Sequence, residues 1–313
     1  MQSKILSCDW GTTSFRLKLI DVESGEVLHK IKSFDGVNAV HNEWLATKKN
    51  ERVRLNFYRS FIQSQIEKLN VDVSDVMVII SGMASSTIGM KGLPYAKLPF
   101  TLSGDNLNIE KFDADNFCKH DILLVSGLQT DVDVMRGEET LLLGCDVDDD
   151  ALVIFPGTHS KHVIIKNKIA VDFKTYMTGE FFNLLSTHSL LAKSVVNDNE
   201  VHEKAFVNGV NDGAANNLLN ASFHVRTNQL FQKNSAEENY HYLSGLLIGS
   251  ELNEVSESNQ KNVVLVCAEN LLQQYITALN VINQNQFTIN TINVDGALIK
   301  AHIKLYHHAK SVI

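Results

Sequence analysis

The chain has 313 residues, of which 44% are hydrophobic and 20% are charged, so it is long enough for two domains and too apolar to be disordered. Its formal net charge of −8 argues against a nucleic-acid-binding protein, which normally presents a basic field. No run approaches the roughly 20 consecutive apolar residues of a membrane span, and the N-terminal stretch lacks the pattern of a secretory signal.

The first half of the chain predicts a hairpin followed by alternating helices and strands. Its predicted elements, in chain order, are strands near 4–9, 15–21 and 25–34, a helix near 54–69, strands at 76–81 and 121–125, and a short helix at 138–144. The acidic run at 146–150 then indicates a solvated surface link between the two halves.

The second half repeats this order. Its predicted elements are strands at 151–155, 161–166 and 168–173, a mostly helical stretch from about 179 to 256, a strand at 262–268, an amphipathic helix over NLLQQYITALN, a strand near 287–294 and a final helix over GALIKAHIKLYHHA. Two halves that each open with a hairpin predict an α/β architecture of two related domains, 1–149 and 150–313.

The same polar turn joins the first two strands of each half. GTTS at 11–14 and GTHS at 157–160 share the pattern Gly-Thr-X-Ser. Ordinary hairpin chemistry is one interpretation, because Gly tolerates positive φ and the hydroxyls bond the local backbone. The other is a phosphate cradle made of backbone N–H groups and hydroxyls. Two cradles facing each other across a cleft would hold a polyphosphate from both sides.

An acid precedes only the first of these turns. Asp9 lies at the end of the first strand, whereas Phe155 occupies the equivalent position in the second half. A carboxylate that ends an apolar strand favours a Mg²⁺ site, because hard cations prefer carboxylate oxygen. The competing nucleotide motifs, Gly-x-x-x-x-Gly-Lys-[Ser/Thr] and a Gly-x-Gly-x-x-Gly after the first strand, are absent from the sequence.

Longer stretches around these turns carry a family resemblance. DWGTTSFRLKLID resembles the first phosphate motif of the actin/hexokinase/Hsp70 ATPase superfamily, and FPGTHSKHV resembles the second. Five stretches in order resemble the 2-dehydro-3-deoxygalactonokinase family: GMASSTIGMKGLPYAKLP, DVMRGEETLLLG, PGTHSKHV, FKTYMTGE and LSGLLIGSE. The resemblance implies two ribonuclease H-like (actin-like ATPase) domains around a central cleft. It also implies ATP-dependent phosphorylation of the 6-hydroxyl of 2-dehydro-3-deoxy-D-galactonate.

The resemblance implies ATP and Mg²⁺ as cofactors, with Asp9 on the metal side. The implied nucleotide-binding residues are Gly11, Thr12, Thr13, Gly157, Thr158, His159, Lys161 and Ala268. Lys161 has a second interpretation as a strand residue that faces away from the ligand, and so does Arg16. Related kinases carry small residues at the adenine junction. Ala268 keeps this pattern and Glu269 departs from it, which leaves the nucleotide preference open.

A sugar-acid substrate requires donors for its carboxylate. The implied substrate-binding residues are Lys91, Pro94, Tyr95, Thr178, Gly179 and Glu180. Arg136 would offer a bidentate fork to the carboxylate, or would neutralise the transferring phosphoryl group. A proline-stiffened surface loop is the alternative for the first stretch, and a plain helix N-terminus is the alternative for the second.

Glu138 is the predicted general base for the attacking hydroxyl. Sugar kinases of the superfamily commonly place an acid at the start of a helix in the first half, and MRGEETLLLG has that layout. A positioned carboxylate suits a phosphoryl transfer in which the proton leaves late. Glu139 and Asp133 are the substitutes for this role. The alternative is that the acids only favour the positive end of the helix.

Other functions stay open on the sequence alone. The acceptor would be another sugar acid or a hexose, or the chain would be a non-enzymatic actin-like nucleotide-binding module. Four scattered cysteines without CxxC spacing favour a reducing, cytoplasmic compartment. The expected partners are the sugar acid and the nucleotide, with no nucleic acid and no membrane, and a homodimer is an open alternative to a monomer.

Overall fold

The computed structural model of the protein describes residues 3–47, 50–147, 150–257, 260–283 and 286–312. None of the helices in these ranges combines the length and the apolar composition needed to cross a bilayer.

The chain forms two compact units. Unit 1 comprises Met1–Asp146, Ile169–Val171 and Val294–Ile313, and unit 2 comprises Val147–Lys168 and Asp172–Asn293. Each unit contains one of the two polar turns.

The elements follow in chain order. Before the second turn they are β1 (Lys4–Trp10), β2 (Phe15–Asp21), β3 (Val27–Ser33), α1 (Val37–Ala46), a 3₁₀ turn (Glu51–Val53), α2 (Arg54–Glu67), β4 (Met77–Gly82), a 3₁₀ turn (Met83–Ser85), β5 (Ala96–Lys97), β6 (Phe100–Thr101), β7 (Ile109–Phe112), β8 (Ile122–Val125), β9 (Leu128–Gln129), β10 (Val134–Met135), α3 (Glu138–Gly144) and β11 (Ala151–Phe155). After it they are β12 (Ser160–Lys166), β13 (Ile169–Tyr176), α4 (Thr178–His188), a 3₁₀ turn (Leu190–Ser194), α5 (Glu203–Ala215), α6 (Leu218–Ser222), α7 (His224–Leu230), α8 (Ala236–Glu257), β14 (Asn262–Cys267), α9 (Glu269–Asn283), β15 (Thr288–Asn293) and α10 (Val294–Val312).

The main sheet of unit 1 has the strand order β3-β2-β1-β4-β8-β7. The first three strands form an antiparallel meander, whereas β1, β4 and β8 run parallel to one another. Every residue of β4 is buried, as expected for a parallel strand that is covered on both faces. The carboxyl ends of the three parallel strands therefore lie at one edge of the sheet.

Unit 2 repeats this arrangement with the strand order β13-β12-β11-β14-β15. β11 pairs antiparallel with β12 and parallel with β14, and β14 pairs parallel with β15. In both units the first strand of the hairpin pairs antiparallel with the second strand and parallel with a later one. This is the ribonuclease H-like arrangement, so the predicted fold class is confirmed.

The C-terminal helix α10 packs within unit 1, although the sequence-based boundary placed all of 150–313 in the second domain. A Cβ atom at Gly144 would lie 1.7 Å from the carbonyl oxygen of Ala297, so α3 and α10 are in backbone contact. His302 is completely buried, and its ring nitrogens bond Ser7 Oγ at 2.7 Å and Ser81 Oγ at 3.2 Å. Burial lowers the pKa of His302 to about 3, so this polar link between α10, β1 and β4 is neutral.

Helices α5 and α8 approach each other through glycines. A Cβ atom at Gly245 would lie 2.1 Å from the carbonyl oxygen of Phe206, and one at Gly213 would lie 2.0 Å from that of Leu246. Contacts below 3.0 Å to backbone cannot be relieved by a side-chain rotation. Gly209 and Gly249 make equally close contacts, so these four glycines together set the distance between α5 and α8.

We expect Gly245→Ala to destabilise unit 2, even though alanine has the higher helix propensity by about 1 kcal/mol. The new methyl group forces α5 and α8 apart, and such overpacking typically costs about 1–3 kcal/mol. Chemical denaturation followed by far-UV circular dichroism measures the change. Asn208→Ala, at an exposed position of α5, is the control and should be neutral or slightly stabilising. Unchanged or increased stability of Gly245→Ala would contradict the packing described here.

Candidate active site

The start of α1 supports the polar turn of unit 1. The N–H groups of Val37 and Asn38 donate to the carbonyl oxygens of Gly11 and Thr12 at 2.9 and 3.1 Å. A Cβ atom at Gly36 would lie 2.4 Å from the carbonyl oxygen of Thr12, so only glycine allows the helix to begin here. The sequence pattern did not predict a helix at this position.

These bonds orient the peptide groups of the turn. In a trans peptide the C=O of one residue and the N–H of the next point in opposite directions. Since the carbonyls of Gly11 and Thr12 face α1, the N–H groups of Thr12 and Thr13 point away from it. The Gly11 N–H is bonded to the carbonyl oxygen of Ser14 at 2.9 Å. The turn therefore directs two successive N–H groups outward, the arrangement that binds anions.

Asp9 lies one residue before the end of β1, where it faces Arg16 on β2. Its Oδ2 accepts a hydrogen bond from Arg16 Nη1 at 2.8 Å, and about 30% of its side chain is exposed. Removal from water raises the pKa of Asp9, and the Arg16 guanidinium opposes this shift. A partly buried carboxylate whose charged form is disfavoured gains stability from a nearby cation.

The backbone of Trp10 and a carboxylate oxygen of Asp9 lie close to Gly82. A Cβ atom at Gly82 would lie 3.6 Å from Asp9 Oδ1 and 2.8 Å from the carbonyl oxygen of Trp10. Glycine at position 82, with a φ of +91°, keeps this space free of a side chain. The oxygen donors at this point suit Mg²⁺, so the residues present fit the predicted ion.

The helix that carries the predicted base begins beside the same glycine. Gly137 has a φ of +114°, and a Cβ atom placed on it would lie 3.6 Å from Gly82 Cα. Glu138 Oε2 accepts a bond from the Arg136 N–H at 3.2 Å, and its side chain is half-buried. Asp9 and the start of α3 therefore both lie beside Gly82.

Glu139, the neighbouring acid, is completely buried. Its carboxylate accepts bonds from the Gly137 N–H at 2.7 Å and from Thr140 Oγ1 at 2.9 Å. Burial, with a smaller contribution from the charge of Glu138, raises the pKa of Glu139 to about 7. A carboxyl group with no exposed surface cannot touch a substrate, which favours Glu138 over Glu139 as the base.

A small sheet of unit 1, with the order β10-β9-β5, brings Tyr95 to Arg136. Tyr95 precedes β5 and Arg136 follows β10. The guanidinium carbon lies 4.3 Å from the Tyr95 ring centroid. Arg136 Nη1 also donates to the carbonyl oxygen and the hydroxyl of Ser85 at 2.8 and 2.6 Å. Two of the predicted ligand-binding residues are thus held together, and Ser85 is a partner that the sequence did not reveal.

The rest of the predicted substrate loop is tied to β7. Lys91 forms an ion pair with Glu110 and lies 5.7 Å from the centroid of the Phe112 ring. Pro94 is exposed, and its carbonyl oxygen accepts a bond from Asn108 Nδ2 at 3.1 Å. The Lys91 ammonium group is therefore already partly neutralised by a neighbouring carboxylate.

The polar turn of unit 2 is supported in the same way, by the start of α4. The Glu180 N–H donates to the carbonyl oxygen of Thr158 at 3.1 Å, so the N–H of His159 points away from α4. A Cβ atom at Gly179 would lie 2.7 Å from the carbonyl oxygen of Gly157. Gly179, predicted as a substrate residue, thus has the same packing role as Gly36 in unit 1.

Side chains of this turn bond to one another and to α4. His159 Nε2 lies 2.5 Å from Glu180 Oε2, so these two predicted ligand residues meet. Lys161 is buried, and its ammonium group donates to the carbonyl oxygen of His159 at 3.0 Å. The Lys161 charge therefore lies directly behind the turn.

A cavity of about 260 Å³ opens beside this turn. It is lined by Gly157, Thr178, Gly179, Phe182, Tyr240, Ser244, Leu247, Ile248, Asn270, Leu271, Gln274 and Tyr275. The wall is mostly apolar with a few polar groups, as is typical of small-molecule sites. Ala268 does not line the cavity, but α9, which begins at the next residue, contributes four of the lining residues.

Comparisons with known proteins agree with this architecture. The family model described as 2-keto-3-deoxy-galactonokinase matches residues 9–300. The chain belongs to this family. A relative from Rhizobium meliloti (strain 1021), named "Probable 2-dehydro-3-deoxygalactonokinase DgoK1", is 32% identical over 93% of this chain and 92% of its own. The 2-dehydro-3-deoxygalactonokinase of Escherichia coli (strain K12) is 28% identical over 88% of this chain and 89% of its own.

A solved structure supports the fold as well as the family. The chain is similar, with a TM-score of 0.79 and 28% identity, to a crystal structure from Sinorhizobium meliloti that is described as "a putative 2-dehydro-3-deoxygalactonokinase protein". The match covers 98% of this chain and 99% of that chain. Both units, and the turns within them, therefore lie inside the region shared with the family.

The buried acid beside the predicted base should give unit 1 a characteristic pH dependence. The folded state holds the Glu139 proton more tightly than the unfolded state does, because the pKa rises from 4.5 to about 7 on folding. The free energy of unfolding therefore falls as the pH rises through this window, by about 2 to 3 kcal/mol between pH 5 and pH 8. Glu139→Gln cannot ionise and should lack this loss.

Urea unfolding at pH 5 and pH 8 tests this expectation. Tryptophan fluorescence reports on unit 1 alone, because the two tryptophans of the chain, Trp10 and Trp44, both belong to that unit. Glu43→Gln, which changes an exposed acid of α1, is the control for a general effect of charge. An equal loss of stability with pH in the wild type and in Glu139→Gln would show that Glu139 does not titrate in this window.

Proposed function

We propose that the protein transfers the γ-phosphoryl group of ATP to the 6-hydroxyl of 2-dehydro-3-deoxygalactonate. The observation that carries this proposal is the match of the family model to residues 9–300, which contain both polar turns and the helix that begins at Glu138. The names of the relatives from Rhizobium and Escherichia agree with this activity. A non-enzymatic module is not favoured, because the chain contains the helix that begins with Glu138.

The adenosine end of the nucleotide is assigned to unit 2. The cavity beside the turn would take the adenosine, with Leu247 and Leu271 against its apolar faces. The outward N–H of His159 and the Thr158 hydroxyl would bind phosphate oxygens, and the Lys161 charge behind the turn would attract them without direct contact. Gly157 belongs to the turn and also lines the cavity, so the nucleotide would pass a residue without a side chain there.

Unit 1 is assigned the metal and the remaining phosphate contacts. Asp9 would hold Mg²⁺, and the N–H groups of Thr12 and Thr13 would bind phosphate oxygens next to Gly11. When bound, Mg²⁺ neutralises the phosphate charge that develops during transfer. Arg16 keeps the Asp9 carboxylate oriented through its 2.8 Å hydrogen bond.

The sugar acid is assigned to the groups around the small sheet of unit 1. Arg136, fixed by Ser85 and the Tyr95 ring, would pair with the substrate carboxylate. Lys91 and the backbone around Pro94 would border the same region. Thr178, Gly179 and Glu180 remain predictions as substrate residues. Their contacts in unit 2 give the first two a structural role.

Glu138 is assigned the role of general base. It is half-buried and lies at the start of α3, where the sugar hydroxyl would be deprotonated as the phosphoryl group arrives. Asp133 is the less favoured candidate, because it lies in the loop before β10 and not at the start of a helix.

The activity is tested directly by incubating the protein with ATP, Mg²⁺ and 2-dehydro-3-deoxygalactonate in an assay coupled to ADP release. The expected product is the 6-phosphate, which ³¹P and ¹³C NMR distinguish from other positional isomers. Other sugar acids and hexoses serve as control acceptors. ADP release that does not depend on the sugar acid, or faster turnover of a hexose, would overturn the proposal.

We expect Asp9→Asn to lower kcat by about 10²–10³-fold, because one electrostatic element of the transition state is lost. The matched control is Asp121→Asn. Asp121 precedes β8, so it lies at the opposite edge of the parallel strands, and its loss should leave kcat unchanged. Titration of activity against Mg²⁺ should show a higher requirement in Asp9→Asn. Near wild-type kcat at limiting Mg²⁺ would contradict the metal assignment.

For Glu138→Gln we expect kcat to fall by about 10²–10⁴-fold with little change in the KM of the sugar acid, because the amide cannot accept the hydroxyl proton. The amide still fills the same volume, so binding should persist. Steady-state kinetics over a range of sugar-acid concentrations separate the two parameters. A raised KM with unchanged kcat would identify Glu138 as a binding residue instead.

A further inference from the structure

Glu251, near the end of α8, is a buried carboxylate to which the family resemblance and the proposed function assign no role. Only 3% of its surface is exposed. Its Oε2 accepts bonds from Tyr275 Oη at 2.8 Å and from Thr178 Oγ1, and its Oε1 accepts from His162 Nε2 at 3.0 Å. Elements α4, α9 and β12 thus meet at one carboxylate of α8.

A chain of hydrogen bonds runs from this carboxylate to the polar turn of unit 2. Tyr275 Oη lies 3.1 Å from Ser160 Oγ, and Ser160 Oγ accepts a bond from the Gly157 N–H at 3.3 Å. All three of these residues are on elements that border the turn or the cavity. The chain therefore joins Glu251 to the first residue of the turn without a break.

The direction of this chain is fixed by its two ends. A carboxylate only accepts, so the single O–H of Tyr275 donates its hydrogen bond to Glu251. The Tyr275 oxygen can then only accept from Ser160, whose own oxygen accepts from the Gly157 N–H. Hydrogen bonds aligned in one direction polarise one another and strengthen the series. Replacing any one of these residues interrupts the aligned series of hydrogen bonds for the others.

We infer that Glu251 is a positioning residue for nucleotide binding, which holds the turn at 157–160 through Tyr275 and Ser160 and the start of α4 through Thr178. The inference rests on the proposed function, which assigns the nucleotide to these elements. Gly157, Thr178 and Tyr275 all line the cavity, so three points of its wall are set by one carboxylate. Loss of the bonds through Tyr275 and Ser160 frees the turn and weakens nucleotide binding, whereas the sugar-acid groups assigned to unit 1 are not part of this chain.

Tyr275→Phe and Ser160→Ala are the informative variants, because each removes one hydroxyl of the chain and leaves Glu251 with its other donors. We expect each to weaken binding of a non-hydrolysable ATP analogue with Mg²⁺ by roughly threefold to tenfold, the usual effect of one buried hydrogen bond. The KM of ATP should rise by a similar factor and the KM of the sugar acid should not. The double variant should be no weaker than the stronger single variant.

Tyr242→Phe is the matched control. Tyr242 is also a buried tyrosine of unit 2, and its hydroxyl donates to Asp212 at 2.6 Å, but it does not line the cavity. This variant should lower the melting temperature as much as Tyr275→Phe does and should leave nucleotide affinity unchanged. Calorimetric titration and thermal melting of the purified full chain measure both quantities.

The outcomes separate this inference from the proposed function. If the wild type does not bind the nucleotide analogue, the proposed function itself fails. If the wild type binds it and Tyr275→Phe and Ser160→Ala bind it equally well, only the positioning role is overturned. The positioning role is also overturned if the two substitutions add in the double variant, or if Tyr242→Phe weakens binding to the same extent.

Discussion

The packing of a helix start against each polar turn is the constraint on which the candidate site depends. In unit 1 the helix is α1 and the contact residue is Gly36, and in unit 2 they are α4 and Gly179. In both units a backbone N–H of the helix bonds a carbonyl of the turn. Since the peptide groups are trans, this bond alone decides which side the N–H groups of the turn face. A side chain at either glycine would separate the helix from the turn and remove that control.

The two turns share a sequence pattern but differ in how they close. In the first, the strands pair up to Trp10 and Phe15, and the Gly11 N–H bonds the backbone of Ser14. In the second, pairing stops at Phe155, because Pro156 follows and has no N–H for the ladder. The longer loop then uses the Ser160 hydroxyl in place of a backbone carbonyl. Because the second turn closes on the Ser160 hydroxyl, the hydrogen bonds from Glu251 through Tyr275 reach this turn.

The hairpins and the parallel strands were predictable because their signals are local. The strand predicted at 15–21, the strand at 151–155 and the short helix at 138–144 have the observed bounds. Helix α1 was missed, because its buried residues form only a narrow stripe and Gly36 offers no capping side chain. A glycine followed by that apolar spacing was the only signal available for it.

Long-range partners explain most of what the sequence could not reveal about the site. Ser85 contacts Arg136 across 51 residues, and Glu251 contacts Thr178 across 73. No periodicity connects positions so far apart. Residues whose own position suggests a role, such as Asp9 at the end of an apolar strand, could be proposed as site candidates from the sequence. Gly179 was also noticed, but its contact with Gly157 gives it a packing role that the sequence could not distinguish from ligand binding.

The different placement of the acids in the two units follows from the same duplicated hairpin. Asp9 lies on the strand and meets Arg16 across the hairpin, so its carboxylate remains partly exposed at the strand end. At the equivalent position Phe155 is buried and pairs with Lys161, whose charge instead reaches the back of the turn. Unit 2 has a buried carboxylate, Glu251, behind the turn, where it accepts hydrogen bonds from side chains of the same unit. One copy of the hairpin thus keeps a partly exposed acid at its strand end, and the other is held in place by an acid of helix α8.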